Sequence, residues 1–98
     1  MPGIRQEVAC EKATRVAIIT ASMKIATGEW DIKKADDFCI SRYKEIKRKY
    51  GYGLFIHVSK RIIKNIEYHK QITTNLGEGT QKVNLRYNSI IEGINKDD

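Results

Sequence analysis

Between Ile4 and Thr27 apolar residues recur so closely that they cover most of the circumference of a helix. Val16, Ala17, Ile18, Ile19, Ala21, Met23, Ile25 and Ala26 are interrupted only by Thr20, Ser22 and Lys24. Glu7, Glu11 and Arg15 mark a polar face, with Glu11 and Arg15 one turn apart, and Gly28 supplies a C-terminal stop. A helix this apolar predicts burial on several sides, by its own domain or by a second copy of the chain.

From Ile32 to Tyr50 the pattern is cleaner: Ala35, Phe38, Cys39, Tyr43, Ile46 and Tyr50 follow spacings of three and four, so one stripe faces a core. Asp31 is a good N-cap, Trp30 before it is suited to a hydrophobic staple, and Gly51 stands where a C-terminal cap belongs. The glycines of Tyr50-Gly51-Tyr52-Gly53 then permit a sharp reversal. Leu54 to Val58 begins a third helix or forms a short strand, and Ser59 is placed to cap a helix from Lys60 to about Gln71. Ile62, Ile63 and Ile66 turn inward there, while Lys60, Arg61, Lys64 and Tyr68 look outward.

Further on the grammar changes. Ile72-Thr73-Thr74 and Val83-Asn84-Leu85-Arg86-Tyr87 are β-prone, the second alternates apolar with polar, and Gly77-Glu78-Gly79 lies between, which predicts a β-hairpin. Val83, Tyr87, Ile90 and Ile94 also have helical spacing, so a single helix competes with it. Ser89 to Asn95 reads as a short closing helix and residues 96–98 as a frayed tail. The expected fold is mainly α with a small β-hairpin, three helices followed by the hairpin, in one domain over 1–98; the alternative is an all-α bundle.

A chain of 98 residues supports one hydrophobic core. It has no run of 18 apolar residues, and its N-terminus passes into charged residues without an apolar signal core, so we expect a cytoplasmic protein with no membrane partner. Cys10 and Cys39 are too few and too distant for a disulfide scaffold and read as reduced thiols in the core. No Cys-x-x-Cys occurs, and His57 and His69 are twelve apart, so no metal site is expected. Asp36-Asp37 lies in the first turn of a helix, where the dipole favours carboxylates, and neither a nucleophile motif nor a glycine-rich phosphate loop is present. The expectation is a protein that is not an enzyme and holds no cofactor.

Charge adds the one functional signal. The net +6 is concentrated between Arg42 and Lys70, where nine basic residues meet only Glu45 and Glu67; outside that segment nine basic residues face ten acidic ones. Lys47, Arg48 and Lys49 close the second helix, and Lys60, Arg61 and Lys64 lie on the third. Lys and Arg neutralise phosphates, and interleaved rings such as Tyr68 offer stacking surfaces, so nucleic acid is the expected partner.

Three helices, the third basic, followed by a hairpin is an order of elements that resembles winged helix-turn-helix DNA-binding domains. The likeness spans Ile32 to Tyr87 as element order and Val58-Ser59-Lys60-Arg61-Ile62-Ile63-Lys64-Asn65-Ile66 as a motif like the start of a recognition helix. It implies double-stranded DNA as partner, with Lys60, Arg61, Lys64 and Asn65 facing the major groove and Lys82 and Arg86 on the wing. Here Gly51 to Val58 separates the two helices, where a helix-turn-helix uses a turn of about three to four residues. The reading is a dimeric DNA-binding regulator or accessory factor of a phage, plasmid or chromosome. The alternatives are a module or inhibitor docking an acidic protein through its basic face, and an RNA-binding protein.

Overall fold

The computed structural model describes the backbone of residues 3–72 and 78–96 and the side chains of 3–66 and 81–96. Among the described residues four helices follow one another: α1 (Ile4–Ala26), α2 (Ile32–Tyr50), α3 (Tyr52–Ile72) and α4 (Glu78–Lys96). The Arg86–Asp36 and Lys47–Ile94 contacts rise together in number, so α2 and α4 run parallel; His57–Glu7 and Arg61–Glu11 show the same for α1 and α3. The helices therefore alternate up and down, as short connections between antiparallel neighbours require.

Helix ends follow the local chemistry closely. Gly28, at φ 78°, stops α1 as a C-terminal glycine does, its N–H donating to the Ile25 carbonyl at 3.0 Å. Asp31 accepts from the Lys34 N–H at 2.8 Å and starts α2. Trp30 packs on the Phe38 ring at 5.0 Å, one turn beyond the Ala35 position that a hydrophobic staple uses.

The connection from α2 to α3 is Gly51 alone. Its φ of 91° is open to glycine at little cost, its N–H closes α2 on the Lys47 carbonyl at 2.9 Å, and its carbonyl opens α3 by accepting from Phe55 at 3.0 Å. This corrects the expected separation of Gly51 to Val58 and the expected cap at Ser59. Ser59 is a fully buried residue inside α3, beside the Tyr87 ring, because α3 uses Phe55, Val58 and Ile62 for one continuous inward stripe. Ile62 is buried and Ile63 and Ile66 are partly so, while Lys60, Arg61 and Lys64 face solvent, as expected.

The expected β-hairpin is not formed. Residues 78–96 are one helix, and Val83, Tyr87, Ile91 and Ile94 bury one helical stripe. Leu85 decides between the periods: a strand would place it on the face of Val83 and Tyr87, yet it is 68% exposed while they are in the core. The alternation of residues 83–87 is thus incidental to a period of 3.6. The supposed first strand begins in α3 at Ile72, and residues 73–77 lie outside the described ones. The closing helix expected at Ser89–Asn95 is the second half of α4. The all-α bundle is the fold.

The core joins Cys10, Ala17 and Ala21 of α1 to Cys39 and Tyr43 of α2, Phe55 and Ile62 of α3, and Tyr87 of α4. Tyr43 and Tyr87 meet edge to face at 5.3 Å in its middle. Burial drives the Tyr43 phenol well above its ordinary range and that of Tyr87 up to about 12, so both stay neutral. Thr14 and Ser22 enter the core because each donates to a carbonyl one turn back, Cys10 at 2.9 Å and Ile18 at 2.7 Å.

Candidate nucleic-acid interface

The parallel packing of α2 and α4, with α3 starting beside them, brings the ends of three elements together. The last turns of α2 place Lys44, Lys47, Arg48 and Lys49 at one end of the bundle. Lys47 spans to α4: its Nζ donates to the Ile94 carbonyl at 3.2 Å and lies 5.2 Å from the centre of the Tyr52 ring. That contact ties the C-terminus of α4, with Lys96, to the same end. Lys49 sits 5.4 Å over the ring of Tyr50. Arg48 is exposed.

Lys60 and Lys64 stand one turn apart on the outer face of α3, both exposed. Arg61 shares that face but turns to α1, where it pairs with Glu7 and lies 3.5 Å from Glu11. His57 joins the cluster, 3.2 Å from the same Glu7 carboxylate. Partial burial raises the Glu7 pKa, but hydrogen bonds and charge from Arg61, with His57 behind it, outweigh this and hold it below its ordinary value. Arg61 is therefore a strut between α3 and α1. Asn65 is half-buried, and the Tyr68 side chain lies outside the described residues.

Lys82 and Arg86 sit on α4 and not on a wing. Lys82 is half-buried. Arg86 binds Asp36 across the α2–α4 contact, its Nε donating to the two carboxylate oxygens at 2.6 and 2.7 Å with Nη2 adding a further contact. Two of the ten expected contact residues, Arg61 and Arg86, thus join helices by pairing with carboxylates about fifty residues away. Sequence reasoning left out Lys44 and Lys96. The signal for Lys44 was present, since it lies one turn before Arg48; that for Lys96 needed the α2–α4 contact.

Among the described residues, carboxylates engage cations at many places: Glu29 with Lys24, Asp37 with Lys33, Glu45 with Arg42 and Glu11 with Arg15. Lys44, Arg48, Lys49, Lys60 and Lys64 have no carboxylate partner there. Burial pushes both thiols, Cys10 and Cys39, above their ordinary value and so keeps them protonated. The described residues hold no group of three His, Cys, Asp or Glu side chains placed to bind a metal ion. No helix among them is long and apolar enough to cross a membrane. In fold class the chain is a small four-helix bundle. Set against protein-family profiles, curated proteins and solved structures, it matches none of them.

Proposed function

We propose that this protein is a non-enzymatic, cytoplasmic nucleic-acid-binding protein that grips the phosphates of double-stranded DNA with the C-terminal end of α2 and the outer face of α3. One observation carries the reading: Lys44, Arg48, Lys49, Lys60 and Lys64 lie on consecutive helices and make no ion pair with a carboxylate among the described residues, whereas most described carboxylates are engaged by other cations. Cations left in water release counterions when they meet phosphate, and that supplies affinity without reading sequence. Arg61 is engaged by Glu7 and Glu11 and Asn65 is half-buried, so the residues best suited to base edges are not poised for them. The expected activity is sequence-tolerant, in keeping with an accessory factor.

The test is fluorescence anisotropy with a random-sequence duplex at a series of salt concentrations. Five phosphate contacts correspond to a slope of log affinity against log salt near −4 to −5. A flat salt response, or no binding at low salt, rejects the proposal. A groove of about 630 Å³ between α2 and α4, lined by Ile40, Leu85 and Ile90 with Lys44 at its edge, favours a second reading in which an acidic amphipathic segment docks there. Preference for an acidic peptide over the duplex selects that reading, and preference for single-stranded RNA selects an RNA-binding role.

A further inference from the structure

The helix α1 is apolar on two sides, and only one is covered. Cys10, Thr14, Ala17 and Ala21 face the core, while Ile4, Val8, Val16, Ile19 and Met23 emerge on the opposite side, Val8 58%, Ile19 56% and Met23 61% exposed. Five of the seven large hydrophobic residues exposed among the described ones lie on this face. Val16, Ile19, Met23 and Ala26 repeat at three, four and three residues, the seam of a coiled coil. The rest of α1 is occupied by α2, α3 and α4, and among the described residues nothing covers this seam.

We infer that two copies of the chain pair antiparallel through this outer face of α1. Charge selects both the occupant and its direction. Arg5 and Lys12 continue the spacing of the seam into its N-terminal half without a carboxylate partner among the described residues, and Glu29, which also holds Lys24, and Asp31, which also caps α2, stand just past its C-terminal end. In a parallel pair Arg5 meets Arg5 and Lys12 meets Lys12. In an antiparallel pair, with Val16 of one copy against Ile19 of the other, Arg5 comes alongside Glu29 and Asp31 of the second copy. The opposed helix dipoles favour the same direction. A patch of a few hundred Å² is notable on a monomer, and doubled by a two-fold axis it reaches the order of 1,000 Å² that a specific interface needs.

One consequence rests on the nucleic-acid reading. The basic end of each copy lies beside the start of α1, so antiparallel pairing sets the two basic ends about 40 Å apart along the shared axis at 1.5 Å per residue. The two basic ends then stand at opposite ends of the pair, facing away from each other.

The pairing is tested without nucleic acid, so its failure is distinct from failure of that reading. Sedimentation equilibrium of the full chain is expected to give twice its 11.3 kDa mass. Ile19→Glu and Met23→Glu, each at an exposed position, are expected to give monomer with unchanged helical circular dichroism. A nitroxide on Arg5→Cys is expected to report a spin–spin distance on the order of 40 Å, and one on Thr20→Cys a short distance, from the axial rise between each site and the two-fold. A wild-type monomer at all concentrations overturns the inference, as does a dimer that survives both glutamates. Short distances from both labels overturn the antiparallel arrangement. A monomer that floats with phosphatidylcholine and phosphatidylglycerol vesicles overturns it in favour of a lipid surface.

Discussion

The end of the bundle where α1 turns into α2 and the end where α2 turns into α3 handle charge in opposite ways. At the first, Glu29, Asp31, Asp36 and Asp37 gather, and each has an internal use: Glu29 holds Lys24, Asp31 caps α2, Asp36 holds Arg86 and Asp37 holds Lys33. At the second, Lys44, Lys47, Arg48, Lys49 and Lys96 gather with Glu45 and Glu92 nearby, and Glu45 is taken by Arg42. The dipole of α2 suits Asp31 at its cap and Lys47, Arg48 and Lys49 in its last turn, while Asp36 and Asp37 stand one turn further in. The dipole therefore explains the order of charges along the helix, but not why the acids of one end have internal partners while Lys44, Arg48 and Lys49 of the other make no pair with a carboxylate among the described residues. On that difference rests the proposal of a phosphate-binding surface.

The largest expected effect tests that difference directly. Reversing Lys44, Arg48 and Lys49 together to glutamate is expected to weaken duplex binding by about a hundredfold or more, while Lys33→Glu with Lys34→Glu at the other end leaves it unchanged. Equal losses at both ends would show that only net charge matters.

Next in size is the bridge at the acidic end. Asp36→Asn removes the charge from a forked contact and is expected to lower stability by about 1 kcal/mol, while Glu45→Gln, whose pair with Arg42 is in water, stays within about 0.5 kcal/mol. Thermal melts resolve this, since 1 kcal/mol moves the midpoint of a domain this size by roughly 4–8 °C.

A smaller effect belongs to Lys47. Lys47→Met keeps the apolar stem but withdraws the ammonium from the Ile94 carbonyl, at an expected cost of about 0.5 kcal/mol, with faster amide exchange in the last turn of α4. Unchanged exchange there would mean that the contact contributes nothing to that helix end.

The smallest effect is in the pH dependence. The folded pKa of Glu7 lies below its ordinary 4.5, so its contribution is fully present above that value and is lost as pH falls through the folded pKa. Stability is expected to decline in acid, and Glu7→Gln to flatten part of that decline below pH 4.5. An identical acid limb in the variant would remove Glu7 from the account.

What the chain reveals before folding depends on the range of the interaction. Asp31, Gly28 and Gly51 act on neighbours within one turn, and the limits of α2 agree with expectation to the residue. The inward face of Lys60 to Ile66 is equally local. Ser59 misleads because a serine suits both a cap and a buried position beside a ring, and only Tyr87 from α4 distinguishes them. Residues 83–87 satisfy two periods at once, and only the burial of Ile91 and Ile94 with Val83 and Tyr87 selects the helix. For the candidate interface the local cluster Lys47 to Lys49 was legible. The withdrawal of Arg61 and Arg86 was not, because Glu7 and Asp36 reach them across about fifty residues of chain.

The single-residue joint at Gly51 bears on how the chain finds its fold. Two helices of about twenty residues meet through one peptide unit, so forming either one delivers the first turn of the next to its place with almost no loop to close. Helices of this kind form within about a microsecond, and helical bundles complete folding in microseconds to milliseconds. The only proline, Pro2, precedes α1, so no prolyl bond within the helices has to isomerise. Folding of each chain from denaturant should accordingly be a single fast phase, ahead of the slower pairing of copies, with α2 and α3 gaining protection together.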